Sequence, residues 1–519
     1  MLRWLRSALR DNRANVAVTV ALSLAPLSLA ALGALDIARA TAAKLVLQDA
    51  LDAATLATAK STASDATQLQ TTGDRILHQN LVLDSSVTLA SDTFVFGTGG
   101  TVIANASAAV RPLVIGFITG GNIIVGAHTE VKRAGYELEI ALVLDNTGSM
   151  QGTKLKNLKT AAGNFIDTMA KAAAQTTDPN AVKISLVPFS QSVRVDSSYA
   201  SATWLDVNGA STANNALFPD DNGAPQQTRR FDLFNQLGIT WAGCVEMRKP
   251  PYDIDDTAPD STAEALVVPY FAPDEPDNSD SNGQGYSNNY IKDKSGHTNQ
   301  RGAQSDTAKY KNASVNAWSS RGPNNGCDMQ ALQRLTTNWT ALKSAISSMK
   351  ATGQTNIPLG MAWGWHTLSP NTPFADGVAY GTPKHKKIVI LMTDGENTMF
   401  NAPNMGSTPT NANVTDYNGA GYLWEGRLLN PTTGQPLVSG TEADRTAALD
   451  DRLQKLCANM KAKDIEIYTL RVEVTNGTST VLQSCASGAD HYFDVKNSAS
   501  LDAIFQQIAN GIASLHLSK

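Results

Sequence analysis

Three oxygen-bearing side chains stand at alternate positions in Asp145-Asn-Thr-Gly-Ser149, with Gly148 permitting a tight bend. One carboxylate and two hydroxyls, Asp145, Thr147 and Ser149, make a hard, oxygen-only set suited to Mg²⁺, Mn²⁺ or Ca²⁺. Two further segments offer partners: Thr355 in Gly353-Gln-Thr-Asn-Ile357, and Asp394 in Lys387-Ile-Val-Ile-Leu-Met-Thr-Asp-Gly395. Alone, Asp145 reads equally well as a helix N-cap, and Thr355-Asn356 as the cap of a helix starting near Ile357. Three loops in order, two directly after apolar runs, favour the metal reading. An aspartyl-nucleophile phosphatase needs a second carboxylate two residues on, where Thr147 stands. No G-x-S-x-G, H-E-x-x-H or P-loop occurs, and only Glu396 adjoins the three loops as a possible base, so no catalysis is expected.

The elements that must position these groups are legible. Ile140 to Leu144 is a continuous apolar run that stops abruptly at polar residues, the pattern of a strand buried on both faces. From Lys154 to Met169 the spacing turns helical, with Leu155, Leu158, Ala162, Phe165 and Met169 near one face. Residues 181–189 predict a second strand, Lys387 to Met392 another, Ile465–Val474 and Tyr492–Val495 two more. Helices are predicted at Trp339–Lys350, Leu359–Leu368, through Leu449 to Met460, and from Leu501 to about Leu515. That alternation predicts a doubly wound α/β fold, whose ligands bind at the carboxyl ends of the strands.

Asp145-Asn-Thr-Gly-Ser149 resembles the DxSxS element of a von Willebrand factor A (vWA) domain, with Thr147 in place of the first serine. The resemblance implies a metal-ion-dependent adhesion site, completed by a threonine of a second loop and an aspartate of a third. Thr355 and Asp394 match those places. The implied metal set is Asp145, Thr147, Ser149, Thr355 and Asp394, holding one divalent cation with a position open to a partner's carboxylate.

Charge and cysteine usage bound the compartment. The net charge is −5; the first 13 residues hold Arg3, Arg6, Arg10 and Arg13 against Asp11, leaving 38 basic and 46 acidic residues, a net of −8. This mildly acidic body has no basic stripe and argues against nucleic acid. Ala14 to Leu35 is an uncharged, mostly apolar run behind that arginine-rich front end. It predicts a transmembrane helix over 14–35, with residues 1–13 cytoplasmic and the rest exported. A cleaved signal peptide is the alternative, Ala38-Arg-Ala40 offering a cleavage site, but the run exceeds the ~7–15-residue core of such signals. No long apolar segment closes the chain, so a single pass is expected. Cys244, Cys327, Cys457 and Cys485 contain no C-x-x-C pair; export suggests two disulfides, most simply 244–327 and 457–485, among three possible pairings.

Residues 36–83 read as a helical stalk, with Leu45, Leu47, Leu51 and Leu56 in an Ala-rich stretch and a short helical pattern around Ile76. Residues 84–133 read as a small β-rich module of about four antiparallel strands, punctuated by Gly97, Gly99, Gly100, Gly120 and Gly121. Arg13-Ala-Asn-Val-Ala-Val-Thr-Val20 and Gln48-Asp-Ala-Leu-Asp-Ala-Ala-Thr-Leu-Ala57 are similar to the amino-terminal segment of the TadE/TadG-like pilus-assembly family, over residues 10 to 60. Ser484-Cys-Ala-Ser, His491-Tyr-Phe-Asp and Leu501 to Ile508 likewise resemble the vWA portion of TadG-type proteins. Pilin-like relatives processed by a prepilin peptidase carry a Gly and an early Glu, where this chain has Ala14 and Thr19.

The resemblance implies a bacterial inner-membrane protein with its carboxyl-terminal bulk in the periplasm, a vWA domain over 137–519, and a pilus or pilus-assembly protein as partner. A secreted or surface-displayed adhesin and a metal-dependent hydrolase are the alternatives. Residues 190–338, rich in Asn, Asp, Ser, Gly and Pro, are expected as a weakly packed insertion, functional or partly disordered. Its acidic runs Asp253-Ile-Asp-Asp256 and Asp274-Glu-Pro-Asp277 lack EF-hand spacing and read as solvated charge.

Overall fold

The computed structural model describes residues 12–513 except 62, 64, 98–100, 115, 117–119, 133–135, 175, 177, 278–285, 316–320, 403–411 and 475–478. The front end to residue 11, most of the 114–118 run and the end of the last predicted helix lie outside the described residues. The chain divides into two compact units, residues 1–135 with short segments at 175–177 and 512–519, and residues 136–174 with 178–511.

In the first unit, helices α1 (Asn12–Ala59) and α2 (Ala66–Asn80) accompany an antiparallel sheet of β1 (Val87–Gly97), β2 (Thr101–Val110) and β3 (Ile123–Lys132), in that order. Among the described residues, α1 is the one helix long and apolar enough to cross a membrane. At ~1.5 Å per residue its 48 residues run about 72 Å, more than twice a hydrocarbon core, so only part of it can be a span. Burial shows which part. Leu22 is 72% and Leu27 65% exposed, whereas Leu47 and Leu51 are fully buried. At the change-over Asp36 accepts backbone N–H bonds from Leu113 (2.6 Å) and Val114 (2.8 Å), fastening the sheet's connecting loop to the helix.

Two expectations change here. The described residues form three strands rather than four, and the stalk and β module share one core, with Leu47, Leu51, Ala54, Leu69 and Leu77 packed with Phe94, Val102, Ala104, Ala106 and Ala108. Small alternating alanines on β2 let helices approach the sheet closely, and their low hydrophobicity hid that face in the sequence.

The second unit contains β4 (Glu137–Asp145), α3 (Thr153–Ala174), β5 (Val182–Phe189), β6 (Val193–Arg194), β7 (Cys244–Val245), β8 (Gln333–Thr336), α4 (Trp339–Ser348) and α5 (Ile357–Leu368). They are followed by β9 (His385–Thr393), α6 (Glu442–Ala462), β10 (Ile465–Val472), β11 (Tyr492–Val495) and α7 (Leu501–Ile512). The sheet runs β11-β10-β9-β4-β5-β6-β7, with β8 also on β5. Strands β5, β4, β9, β10 and β11 are mutually parallel, while β6, β7 and β8 add antiparallel. Taking the main strands β4, β5, β8, β9, β10 and β11 in chain order, the spatial order is 3-2-1-4-5-6. The doubly wound fold expected of a vWA domain is therefore present, with its switch point between β4 and β9.

Pleating sorts β4 between two helical layers. Ala141 and Val143 face the core built with α5 and α6, and Ile140, Leu142 and Leu144 are buried on the other side. Across that side Phe165 of α3 meets Phe505 of α7 edge-on, centroids 6.0 Å apart. Glycines let α5 lie close: a Cβ at Gly364 would stand 2.5 Å from Val143 Cγ2, and one at Gly360 2.5 Å from Phe189 Cγ.

The insertion is the largest departure from expectation. Where described, it is packed, not loose: Trp204, Phe218, Phe234, Phe271 and Tyr310 belong to the same buried core as β4 and α5. Its acidic runs are partnered inside the protein, Asp253 and Asp256 by residues outside the insertion. Asp253 takes Arg452 bidentately at 2.6 Å, Asp274 takes Lys309 at 2.7 Å, and Asp256 accepts from Ser369 at 2.6 Å. Both expected disulfides, Cys244–Cys327 and Cys457–Cys485, are formed.

Candidate metal centre

Parallel strands β4 and β9 lie side by side and end together, so the residues that follow them meet at the switch point. Asp145 closes β4 and Asp394 follows β9 immediately. Asp145 is not a helix N-cap, since α3 starts only at Thr153. Its Oδ1 accepts the Thr147 N–H at 2.8 Å and its Oδ2 accepts the Thr393 hydroxyl at 2.6 Å. The Thr147 and Ser149 hydroxyls are 2.9 Å apart, and Ser149 donates to Asp394 Oδ1 at 2.7 Å. The Lys154 ammonium pairs with Asp394 Oδ2. Four of the five expected residues are thus joined directly.

Thr355 belongs to the neighbouring loop. Gly148 N–H donates to Gly353 O at 3.0 Å and Asn146 Nδ2 to Lys350 O at 2.8 Å, which stitch that loop to the first. Thr355 is buried, its N–H bonded to Thr398 Oγ1 at 2.8 Å. Asn356, next to it, does cap α5, accepting from Leu359 N at 3.1 Å. The loop needs glycine at 353: φ is +71°, and a Cβ would stand 2.9 Å from Gln191 Oε1.

The donor set fits a hard divalent cation. Adjacent ligands around an octahedral ion at ~2.1 Å stand about 3 Å apart, close to the Thr147–Ser149–Asp394 spacings. Two buried carboxylates at one place also require a counter-charge. Burial pushes the Asp145 carboxyl up to about 6 and the charge of Asp394 adds to the rise, while hydrogen bonds from Thr393 and Thr147 oppose it. The Lys154 ammonium against Asp394 is a positive charge already drawn to this spot.

Sequence reasoning missed Thr393, Lys154 and Gln191. Thr393 could have been found as a hydroxyl one residue before Asp394, whereas nothing in the spacing marks Lys154 or Gln191 as part of the site. Gln191 packs against Gly353, its Nε2 donates to Tyr270 OH at 3.2 Å, and its carbonyl accepts from Gly419 N at 2.7 Å, joining the second site loop to the insertion.

Beside that loop, Gln354 Nε2 donates to Asp416 Oδ2 at 3.1 Å. Burial first and the charge of Glu275 second raise the Asp416 carboxyl to about 7. Its folded value exceeds its unfolded one, so its contribution to stability is full below about pH 4 and is lost as pH rises to about 7. Asp416→Asn is therefore expected to gain thermal stability relative to the parent as pH is raised from 4 to 7, with a constant difference above. Parallel melting curves across that window would contradict the assignment.

No protein-family model matches the chain, and no curated protein matches it. Several solved structures are similar. The vWF domain of the type V pili tip protein Mfa5 from Porphyromonas gingivalis is 13% identical, over 73% of this chain and 96% of that one, with a TM-score of 0.32. The PilB minor pilin from Streptococcus sanguinis is 10% identical, over 83% and 79%, with a TM-score of 0.33. Proximal thread matrix protein 1 from the mussel byssus, with a zinc-occupied MIDAS motif, is 11% identical over 73% and 46%, with a TM-score of 0.27. This chain thus spans about half of that last protein. Superpositions this loose carry no weight, so the fold rests on the chain's own strand order and the site on its own side chains.

Proposed function

We propose that this protein is a membrane-anchored vWA protein acting in assembly or anchoring of a Tad/Flp-type pilus, and that it binds a protein partner through a divalent cation. The observation that carries the binding role is the meeting of Asp145, Thr147, Ser149 and Asp394 at the β4–β9 switch point, beside the Thr355 loop. These five residues would hold the ion. When bound, the ion supplies a hard positive charge that attracts a carboxylate of the partner.

The chain's own groups prepare that place. Thr393 and the Thr147 N–H orient Asp145, Ser149 orients Asp394, and Thr398 fixes the Thr355 loop. The pilus role rests on the residue 10–60 resemblance to TadE/TadG-like segments, and the anchor on the exposed apolar first part of α1. Binding is favoured over hydrolysis because the groups facing the site are acids, hydroxyls and an already paired lysine.

The test is made in pilus-bearing cells. The full chain should fractionate with membranes, be shielded from surface labelling in intact cells, and cross-link to a pilus or assembly component with Mg²⁺ but not after EDTA. Surface labelling of intact cells would point instead to a displayed adhesin. Cross-linking that EDTA leaves unchanged would overturn the metal-dependent reading.

A further inference from the structure

The two acids at the switch point face one cation of the chain itself. Lys154 lies in the first turn of α3, and its ammonium reaches Asp394 Oδ2 with the lysine side chain 25% and the carboxylate 0% exposed. The positive end of a helix dipole is an unfavourable place for an ammonium, so its position there owes to the acids and not to the helix. The other Asp394 oxygen is taken by Ser149, and both Asp145 oxygens by Thr147 and Thr393. Every carboxylate oxygen of the site thus has a donor from the chain, and Lys154 is the one charged donor among them.

We infer that Lys154 is a tethered counter-cation that competes with the divalent ion for Asp394 and must be displaced for the ion to bind. The inference rests on the metal-binding reading above and adds the residue that sets its affinity. A landing place is at hand. Glu473, just past β10, accepts from Ser498 N at 2.8 Å. Asn157, one turn on from Lys154 in α3, donates to Ser498 Oγ at 2.9 Å, which brings the Glu473 carboxylate bonded to Ser498 beside the start of that helix. Bonds from Ser498 chiefly, and the charge of Lys154 further, hold that carboxyl below the usual range. Moving the ammonium from Asp394 to Glu473 frees one carboxylate oxygen without leaving a charge unpaired. A partner that brings its own carboxylate to the ion would favour the displaced state.

The experiment titrates Mn²⁺ and Mg²⁺ calorimetrically into the full chain in detergent, comparing the parent with Lys154→Met, Lys154→Arg and Glu473→Gln. Lys154→Met should bind Mn²⁺ at least tenfold more tightly, and Lys154→Arg should remain within about threefold of the parent. Without metal, Lys154→Met should melt lower than the parent, and saturating Mn²⁺ should restore it, a readout that a merely structural lysine would not give. Glu473→Gln should weaken binding several-fold, and unchanged affinity would overturn the landing role. Equal or weaker binding by Lys154→Met, beside a parent that binds, overturns the competition and leaves the metal site standing. Binding by Lys154→Met alone supports the competition but overturns metal use by the native chain. Binding by neither overturns both.

Discussion

Asp145→Ala should abolish the thermal stabilisation that Mg²⁺ or Mn²⁺ confers on the full chain, and with it metal-dependent capture of the pilus partner. A ligand at a hundred times its dissociation constant stabilises by about 2.7 kcal/mol, and that whole increment should vanish. The fold should survive, because the apo site is relieved of one of two mutually repelling buried acids. The cost is local: Thr393 and the Thr147 N–H lose their acceptor, which Asp145→Asn restores in part without the charge. Thr147→Ser keeps the hydroxyl and should bind nearly as the parent does. Thr147→Val keeps the shape, loses the hydroxyl and should weaken binding about tenfold or more, the worth of one ~1.4 kcal/mol contact. The measurement is the melting temperature with and without 10 mM Mg²⁺ for the series. A full metal-induced rise in Asp145→Ala would place the ion elsewhere. A lost rise with normal pilus assembly would make the ion structural and move function to the insertion.

The features that were legible in the sequence share one property: local repetition. Ile140 to Leu144 and Ile388 to Met392 are unbroken apolar runs because parallel strands between helices are buried on both faces, and the acids at their ends stand out against them. Asp145, Thr147 and Ser149 lie within five residues, so their common purpose shows in the spacing. The insertion hides its core for the opposite reason. Trp204, Phe218, Phe234, Phe271 and Tyr310 come singly, far apart, among polar residues, and meet only in three dimensions. Aspartates 253 and 274 look solvated in sequence because their partners, Arg452 and Lys309, lie 199 and 35 residues away. Lys154 is hidden similarly, 240 residues from Asp394 in a helix whose other lysines face solvent or distant carbonyls.

That same hidden packing gives the second large effect. Glu246, fully buried just after β7, holds two arginines at once: Arg230 of the insertion on Oε1, and Arg427 of the segment between β9 and α6 on Oε2. The Tyr417 hydroxyl also donates to it. Arg230 Nη1 also donates to the Pro269 carbonyl at 2.8 Å, and the buried Glu425 carboxyl lies in the field of both arginines, but among the described residues Glu246 is the carboxylate that pairs directly with each guanidinium. Glu246→Gln keeps the volume and leaves two buried cations facing a neutral amide. Breaking one such pair costs about 3–5 kcal/mol, and here two share the anion, so a loss at the upper end of that range is expected. The consequence reaches the metal centre. Arg427 also donates to the Met247 carbonyl, and Asn356 Nδ2, beside Thr355, contacts Met247 Sδ at 3.3 Å. Glu246→Gln should therefore lower the melting temperature of the 136–511 unit by several degrees and also weaken divalent binding, although it touches no proposed ligand. Arg230→Met with Glu246→Met, which removes the anion and one cation together, should destabilise less than Glu246→Gln. If Glu246→Gln melts within a degree of the parent, the cluster contributes nothing net and the insertion is held by its aromatic core and the Cys244–Cys327 bridge alone.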